Sequence, residues 1–438
     1  MRATMTGVCL SGVLAVCGQA MAQDATFEPL GFSGAGSFFI GSRANAVSPD
    51  GSTTVGGDDT DLGTRASYWP TSTLFPELLF SPAGDFAYGT ATGVSEDGEV
   101  IIGWLSTTRD GSFIRLATVW NDFGLGVELD ALPEAMRRES LFTTVNDVSN
   151  DGAVAVGASM DERANLQPVT WDTSTGEVSP LSLLPGRTGG SARFISGDGS
   201  IIIGQQSGGG SGSFVRWIDG VPAEVSFDLP AGFEDFSIGC VSPDGSVAGG
   251  VAFPIMFDPI MNPMRAAIWR EGSGITLLDT LSGGDPGMED VVNAISANGQ
   301  FAVGRVGVGS GAGPFSAGIW FEDGSVRLLS EWLVDEYGLF EVEGWRGLLE
   351  ATGISDDGRV IVGFGINPIG IKEGWKVTLP STVCAVDLDE DGALTVFDFL
   401  LFQNLFDDQD PRADIDGDGQ FTIFDFLKFQ TLFDAGCP

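Results

Sequence analysis

The stretch "AVSPDGSTTVG" at residues 46–56 decides the fold. It reads as an apolar approach, a box Ser48-x-Asp50-Gly51, and a run rich in β-branched residues that ends in glycine. Asp-Gly between two short apolar runs is the sign of a hairpin whose turn needs a positive φ. The same pattern returns as "GVSEDGEVIIG" (93–103), "DVSNDGAVAVG" (147–157), "FISGDGSIIIG" (194–204), "CVSPDGSVAGG" (240–250), "AISANGQFAVG" (294–304) and "GISDDGRVIVG" (353–363). Each copy is followed, after a variable loop, by an apolar strand ending in tryptophan: Trp69, Trp120, Trp171, Trp217, Trp269, Trp320 and Trp375. Most of these lead into a second turn, such as "DTSTGE", "IDGV" or "FEDGS", and one more apolar run. Four strands per unit at a period of about 40–55 residues predict a β-propeller, here with seven blades.

Closure of the ring is also legible. The seventh unit stops at "WKVTLP" (375–380) without a fourth strand, while "TFEPLGFSG" (26–34) stands alone ahead of the first unit. An N-terminal strand that completes the last blade closes the ring non-covalently and leaves only protected edges. Because boxes and tryptophans recur in every unit, they read as scaffold: turn chemistry for the boxes, packing between blades for the tryptophans. Trp104, Trp332 and Trp345 fall outside this register, and the sixth unit carries the longest insertion, "LSEWLVDEYGLFEVEGWRGLL" (329–349), with a short helix expected from Ser330. Loops carry function more often than scaffold does, so a ligand is to be sought here, although a loop aromatic that fills a crevice is the commoner case.

The repeats resemble the bacterial extracellular HAF-type repeats over roughly residues 26–378, including the closing stretch "GWRGLLEATGISDDG" (344–358). The His-Ala-Phe triplet of that family is replaced here by "ASYW", "ATVW" or "AAIW". The resemblance implies a propeller fold and no dependable enzymatic activity.

The chain has 438 residues, with 60 acidic against 21 basic side chains, a formal net charge of −39 and no histidine. Such a surface repels nucleic acid and anionic lipid. The lack of histidine excludes Ser-His-Asp triads, Cys-His pairs and His-ligated zinc. Residues 1–22 read as an export signal: Arg2, an apolar run from Val8 to Val16, and small residues at Ala20 and Ala22 ahead of the cleavage point. A secreted or cell-surface protein is the expectation, and no other segment is long and apolar enough to span a bilayer. Cys240, Cys384 and Cys437 remain after cleavage. Cys384 and Cys437 bracket the C-terminal segment and are expected to pair. Cys240 stands where other units carry Ala46, Gly93 or Ala294, the place of a small buried residue.

That C-terminal segment says one thing twice: "DLDEDGALTVFDFLLFQNLF" (387–406) and "DIDGDGQFTIFDFLKFQTLF" (414–433). Calcium is held by a twelve-residue loop with oxygen ligands at positions 1, 3, 5, 7 through the backbone, 9 and 12, and glycine at 6 for the bend. The first copy supplies Asp387, Asp389, Asp391, the Ala393 carbonyl, Thr395 and Asp398; the second supplies Asp414, Asp416, Asp418, the Gln420 carbonyl, Thr422 and Asp425. Two Ca²⁺ ions are therefore expected. Residues 384–438 carry 13 acids against 2 bases, so without cations the loops repel themselves. Each loop runs into an amphipathic helix with two apolar stripes: Phe397/Leu401/Leu405 and Phe399/Phe402/Phe406, echoed by Phe424/Lys428/Leu432 and Phe426/Phe429/Phe433. A helix pair this small buries one stripe of each helix and exposes the other as a partner site.

Two loop-helix units with Asp at position 12 resemble a type I dockerin, in the variant that ends in Gly-Cys. The resemblance implies a calcium-dependent module that plugs into a cohesin-like receptor, with either helix able to dock. Dockerins place small hydroxyl residues at loop positions 10 and 11, where this chain has Val396-Phe397 and Ile423-Phe424. The expected partner-binding set is Val396, Phe397, Leu401, Leu405, Ile423, Phe424, Lys428 and Leu432.

The organisation expected is a signal peptide (1–22), an all-β seven-bladed propeller (23–380) and a small all-α calcium-binding module (381–438). The function expected is a secreted propeller that binds a polysaccharide or protein ligand and is anchored through its tail. The alternative is an extracellular polysaccharide-degrading enzyme carried by the same tail. Acids are too plentiful to single out a glycosidase pair, and lyase bases are nearly absent, so no catalytic residue is assigned.

Overall fold

A computed structural model describes residues 25–33, 41–61, 63–70, 75–81, 88–109, 112–121, 124, 126–133, 142–208, 213–255, 264–281, 290–308, 315–380, 386–388, 394–407, 409–415 and 420–435. Two compact units emerge: Ala25–Thr378, and one that contains Leu379–Pro438.

The larger unit grows out of the boxes. The Ser149 hydroxyl donates to Asp151 Oδ1 (2.6 Å) and accepts the Val154 N–H (3.1 Å), while Asp151 Oδ1 also accepts the Ala153 N–H (2.9 Å). The Gly152 N–H closes the turn on the Ser149 carbonyl at 2.9 Å. This wiring recurs in all seven boxes, with Asn298 in place of Asp in the sixth. The seven box glycines have φ between 66° and 78°, the left-handed region the turn demands.

Each box joins the innermost two strands of a four-stranded antiparallel blade, and there are seven blades: 41–78, 88–128, 143–180, 189–225, 233–277, 291–328, and 347–378 completed by Thr26–Pro29. The expected closure is present, for Thr26 lies opposite Thr378 and Pro29 opposite Trp375 in the last blade. The segment that follows is latched down. The Gly31 N–H donates to Glu373 Oε1 at 3.0 Å, the Ser42 hydroxyl to the Gly31 carbonyl at 2.6 Å, and the Ser33 hydroxyl to Asp58.

Why does every run end in glycine? The innermost strand of each blade carries a β-bulge, at Asn45, Thr92, Asn146, Arg193, Gly239, Asn293 and Thr352. The bulge thrusts the carbonyl two residues earlier toward the neighbouring strand. There sit Gly56, Gly103, Gly157, Gly204, Gly250, Gly304 and Gly363, and a Cβ on any of them falls far inside the 3.0 Å that side chains keep from such an oxygen.

Blades are joined by two kinds of contact. Trp69, Trp120, Trp171, Trp217 and Trp320 are buried and donate their indole N–H to a backbone carbonyl of the preceding blade, those of Leu30, Phe80, Asp130, Ser182 and Asp279, at 2.6–3.0 Å. Nearer the axis, bulge side chains reach the next blade: Asn45 to the Ala91 carbonyl (2.8 Å), Asn146 to Ala192 (2.6 Å), Asn293 to Ala351 (2.9 Å) and Thr352 to Ala44 (3.0 Å). A backbone ring runs through the second residue of the boxes, from Glu96 to Asn150, Gly197 and Pro243, and from Ala297 to Asp356 and Pro49. It breaks after each proline, which has no N–H to donate.

The insertion in the sixth unit forms a helix, α1 (Leu329–Tyr337), which ends at Gly338 with φ 67°. Trp332 packs among Phe301, Phe321 and Tyr337, and Trp345 packs edge-on against Phe27 at 5.5 Å. Both are buried, so two of the three off-register tryptophans are packing residues.

In the smaller unit two helices, α2 (Val396–Asp407) and α3 (Ile423–Ala435), face each other across Phe402 and Phe429, whose rings stack at 4.3 Å. Val386, Leu388, Leu405 and Ala413 complete its buried core.

Candidate functional site

The two loop-helix junctions are built alike. Asp398 Oδ2 accepts the Thr395 N–H (2.8 Å) and Oδ1 accepts the Leu388 N–H (2.8 Å), while Thr395 Oγ1 accepts the Phe397 N–H (3.1 Å). In the second copy Asp425 Oδ2 accepts the Thr422 N–H (2.7 Å) and Thr422 Oγ1 accepts the Phe424 N–H (3.1 Å). Loop positions 9 and 12 thus form a reciprocal helix cap. Both Asp398 and Asp425 are completely buried. Two buried carboxylates at the ends of oxygen-rich loops fit a hard divalent cation. Asp387, Thr395 and Asp398 of the first expected ligand set are described, as are Asp414, Gln420, Thr422 and Asp425 of the second. Asp389, Asp391, Ala393, Asp416 and Asp418 lie outside the described residues, as do Cys384 and Cys437 and the segment 1–22. Cys240 is a buried free thiol, in keeping with a small core residue.

The exposed stripe differs from the one expected. Leu405 is buried, and Leu401 and Leu432 pack against the same core. Residues four apart advance by about 40° around a helix, so by Leu405 the row that starts at Phe397 has turned inward. Of the expected set, Val396 and Ile423 (62% each) and Phe397 and Phe424 (65% and 64%) are exposed, and beside them Leu400 and Leu427 (48% and 49%). Sequence reasoning missed Leu400 and Leu427. The spacing i, i+1, i+4 from the first helical residue marks them, because it spans a single narrow face. Lys428 is exposed beside this face.

In the propeller, the innermost strands enclose a central channel with a cavity of about 330 Å³, lined by Asn45, Thr92, Asn146, Asp147, Asn293 and Asp356 among others. Asp147 bridges two blades: Oδ2 accepts the Ile195 N–H and Oδ1 the Val148 N–H, each at 2.9 Å. Burial pushes its carboxyl up to about 7, against the pull of those two N–H groups. Burial likewise raises Asp356 to about 6, with the Asn150 side chain opposing and the charges of Glu96 and Asp357 adding to the rise. The Asp147 value lies above the ordinary 3.8, so the stability it contributes is full below about pH 4 and is lost as pH rises through about 7. Asp147→Asn is therefore expected to gain on the wild type by about 2–3 kcal/mol between roughly pH 5 and pH 8.5. The measurement is the difference between the two unfolding midpoints as a function of pH; a constant difference would mean that the carboxylate sits in bulk-like water.

No family model matches the chain, and no curated protein sequence does. Solved structures do. An oligogalacturonate lyase from Vibrio parahaemolyticus superimposes with a TM-score of 0.51 at 12% identity, over 82% of this chain and 98% of that one. An oligogalacturonate lyase in complex with manganese gives 0.50 at 14% identity, over 82% and 98%. TolB from Acinetobacter baumannii gives 0.41 at 17% identity, over 66% of this chain and 65% of that one. What this chain shares with the two lyases is the propeller. At such identities the likeness is one of fold and carries no site residue across.

Proposed function

We propose that the C-terminal unit is a calcium-dependent docking module that anchors an exported propeller to a cohesin-like receptor outside the cell. The observation that carries this reading is the matched exposure of six large apolar side chains at equivalent places in the two repeats: Val396, Phe397, Leu400 and Ile423, Phe424, Leu427. A unit with its own aromatic core has no need of them, and an exposed apolar face marks a partner site. The loop residues described fit Ca²⁺, which would be held by Asp387, Thr395 and Asp398 in one loop and Asp414, Gln420, Thr422 and Asp425 in the other, and would set the helix starts. Export rests on the signal-like sequence of residues 1–22.

The test is capture of receptors from the organism's own envelope and medium by the full chain, in calcium and in chelator. Recovery of a cohesin-like protein in calcium alone supports the reading. Phe397→Glu with Phe424→Glu should lower that recovery at least tenfold while leaving calcium uptake intact. Equal capture by this variant would move the contact elsewhere.

A further inference from the structure

The seam between the first and last blades holds two cations on one ring. Arg43 belongs to the innermost strand of the first blade (Gly41–Val47), and Phe364 and Lys372 belong to adjacent strands of the last (Val360–Ile366 and Lys372–Thr378). The Arg43 guanidinium carbon lies 4.4 Å from the Phe364 ring centre and the Lys372 ammonium 4.8 Å from it. In a chain with 60 acids for 21 bases, carboxylates are plentiful, and several cations pair with one. Lys376 has Glu28 at 3.4 Å, Arg216 has Glu271 at 2.8 Å, and Arg327 has Asp335 and Glu336. Among the described residues neither Arg43 nor Lys372 has a carboxylate at ion-pair distance, and Arg43 Nε, like that of Arg115 and Arg216, is buried without a hydrogen-bond acceptor.

Burial, and after it the Arg43 charge, holds the Lys372 amine below its usual value, while Asp59 and Glu350 offset part of this from farther off. Arg115 offers a contrast. It sits against two rings, Trp104 at 4.1 Å and Phe142 at 5.6 Å, and among the described residues no second cation shares either. At the first and last blades two like charges share a single ring, which satisfies neither. An oxyanion supplies what both lack, acceptor lone pairs and opposite charge, and bonds of this charge-assisted kind are the strong ones.

We propose that this seam binds an oxyanion, a carboxylate or sulfate group, between Arg43 and Lys372. The group is carried either by a small ligand or by an acidic glycan chain. The assignment is independent of how the C-terminal unit is read.

The chain has three lysines, Lys372, Lys376 and Lys428, so reductive ¹³C-methylation of the full protein gives three side-chain signals beside the α-amine. Lys372→Arg identifies the signal of interest. Sulfate, acetate, glucuronate and a glucuronate oligosaccharide are titrated against chloride at constant ionic strength. The expected result is a saturable shift of the Lys372 signal, with its titration midpoint moving up by about one unit, while Lys376 and Lys428 stay put. Arg43→Gln should weaken the response tenfold or more, and Arg43→Lys should retain much of it. Saturation by sulfate or acetate as readily as by the sugars identifies a small-ion site. Saturation by the oligosaccharide at concentrations at least tenfold lower identifies a glycan site. The proposal is overturned if no anion gives a saturable shift in the wild type, if all three lysines move together, or if a folded Arg43→Gln responds unchanged.

Discussion

Gly304→Ala should cost the propeller about 3 kcal/mol or more and lower its unfolding midpoint by roughly 4 °C or more. The reason is local and steric. A methyl group on Gly304 is driven into the Val291 carbonyl oxygen, which the bulge at Asn293 pushes across the strand pair. Neither partner can yield, since both are backbone in a paired sheet, and the Asn293 side chain ties the bulge to the Ala351 carbonyl of the next blade. The control is Gly344→Ala. Gly344 lies in the 3₁₀ turn Phe340–Gly344, where the nearest atom to an added Cβ is the Pro368 ring at 4.0 Å. That change should stay within about 0.5 kcal/mol. Thermal unfolding followed by tryptophan fluorescence reads both. If Gly304→Ala melted with the wild type, the bulge would be able to relax, and the glycine would need another explanation.

The second large effect concerns the C-terminal unit. Asp398→Asn with Asp425→Asn should abolish uptake of two calcium ions by the full chain, measured by titration calorimetry. Calcium at a thousandfold excess over its Kd adds about 4 kcal/mol per site to a folded state that alone binds it. Hydrogen exchange of peptides from 394–435 should accordingly slow by orders of magnitude in calcium, and the double variant should lose that protection. Peptides from the propeller serve as the internal reference and should not respond. Asp398→Asn also turns one of two oxygens that accept backbone N–H groups into an NH₂, so the variant should lose some stability in chelator as well. The deciding loss is that of the response to calcium. Protection of 394–435 that ignores chelator would leave the Thr-Asp pairs as helix caps alone.

Much of this was legible from the residues because repetition amplifies weak signals. One Ser-x-Asp-Gly box is an ordinary turn, but seven at a regular spacing, each with its tryptophan, leave little room for anything other than a ring of blades. The orphan strand Thr26–Pro29 could be placed by counting, since one unit lacked a strand and one strand lacked a unit. The calcium-ligand spacing is just as local, and calorimetry on Asp398→Asn with Asp425→Asn is what tests it. The exposed face was half legible. Val396, Phe397, Ile423 and Phe424 stand at helix starts, where position along the chain fixes direction, whereas the later rows turn inward with the helix.

Sequence alone determined the number of blades, the place of closure and the two-part organisation, because each depends on contacts between neighbours in the chain and on counting. Only the tertiary structure decided why the runs end in glycine, which carboxylate bridges two blades at the channel wall, and which two cations share one ring. Those properties arise where strands far apart in the chain meet: a carbonyl pressed against an absent side chain, Asp147 of one blade on Ile195 of the next, Arg43 of the first blade over Phe364 of the last. Local pattern specifies the turn, but burial and charge pairing belong to the seam between blades, and no stretch of chain contains a seam.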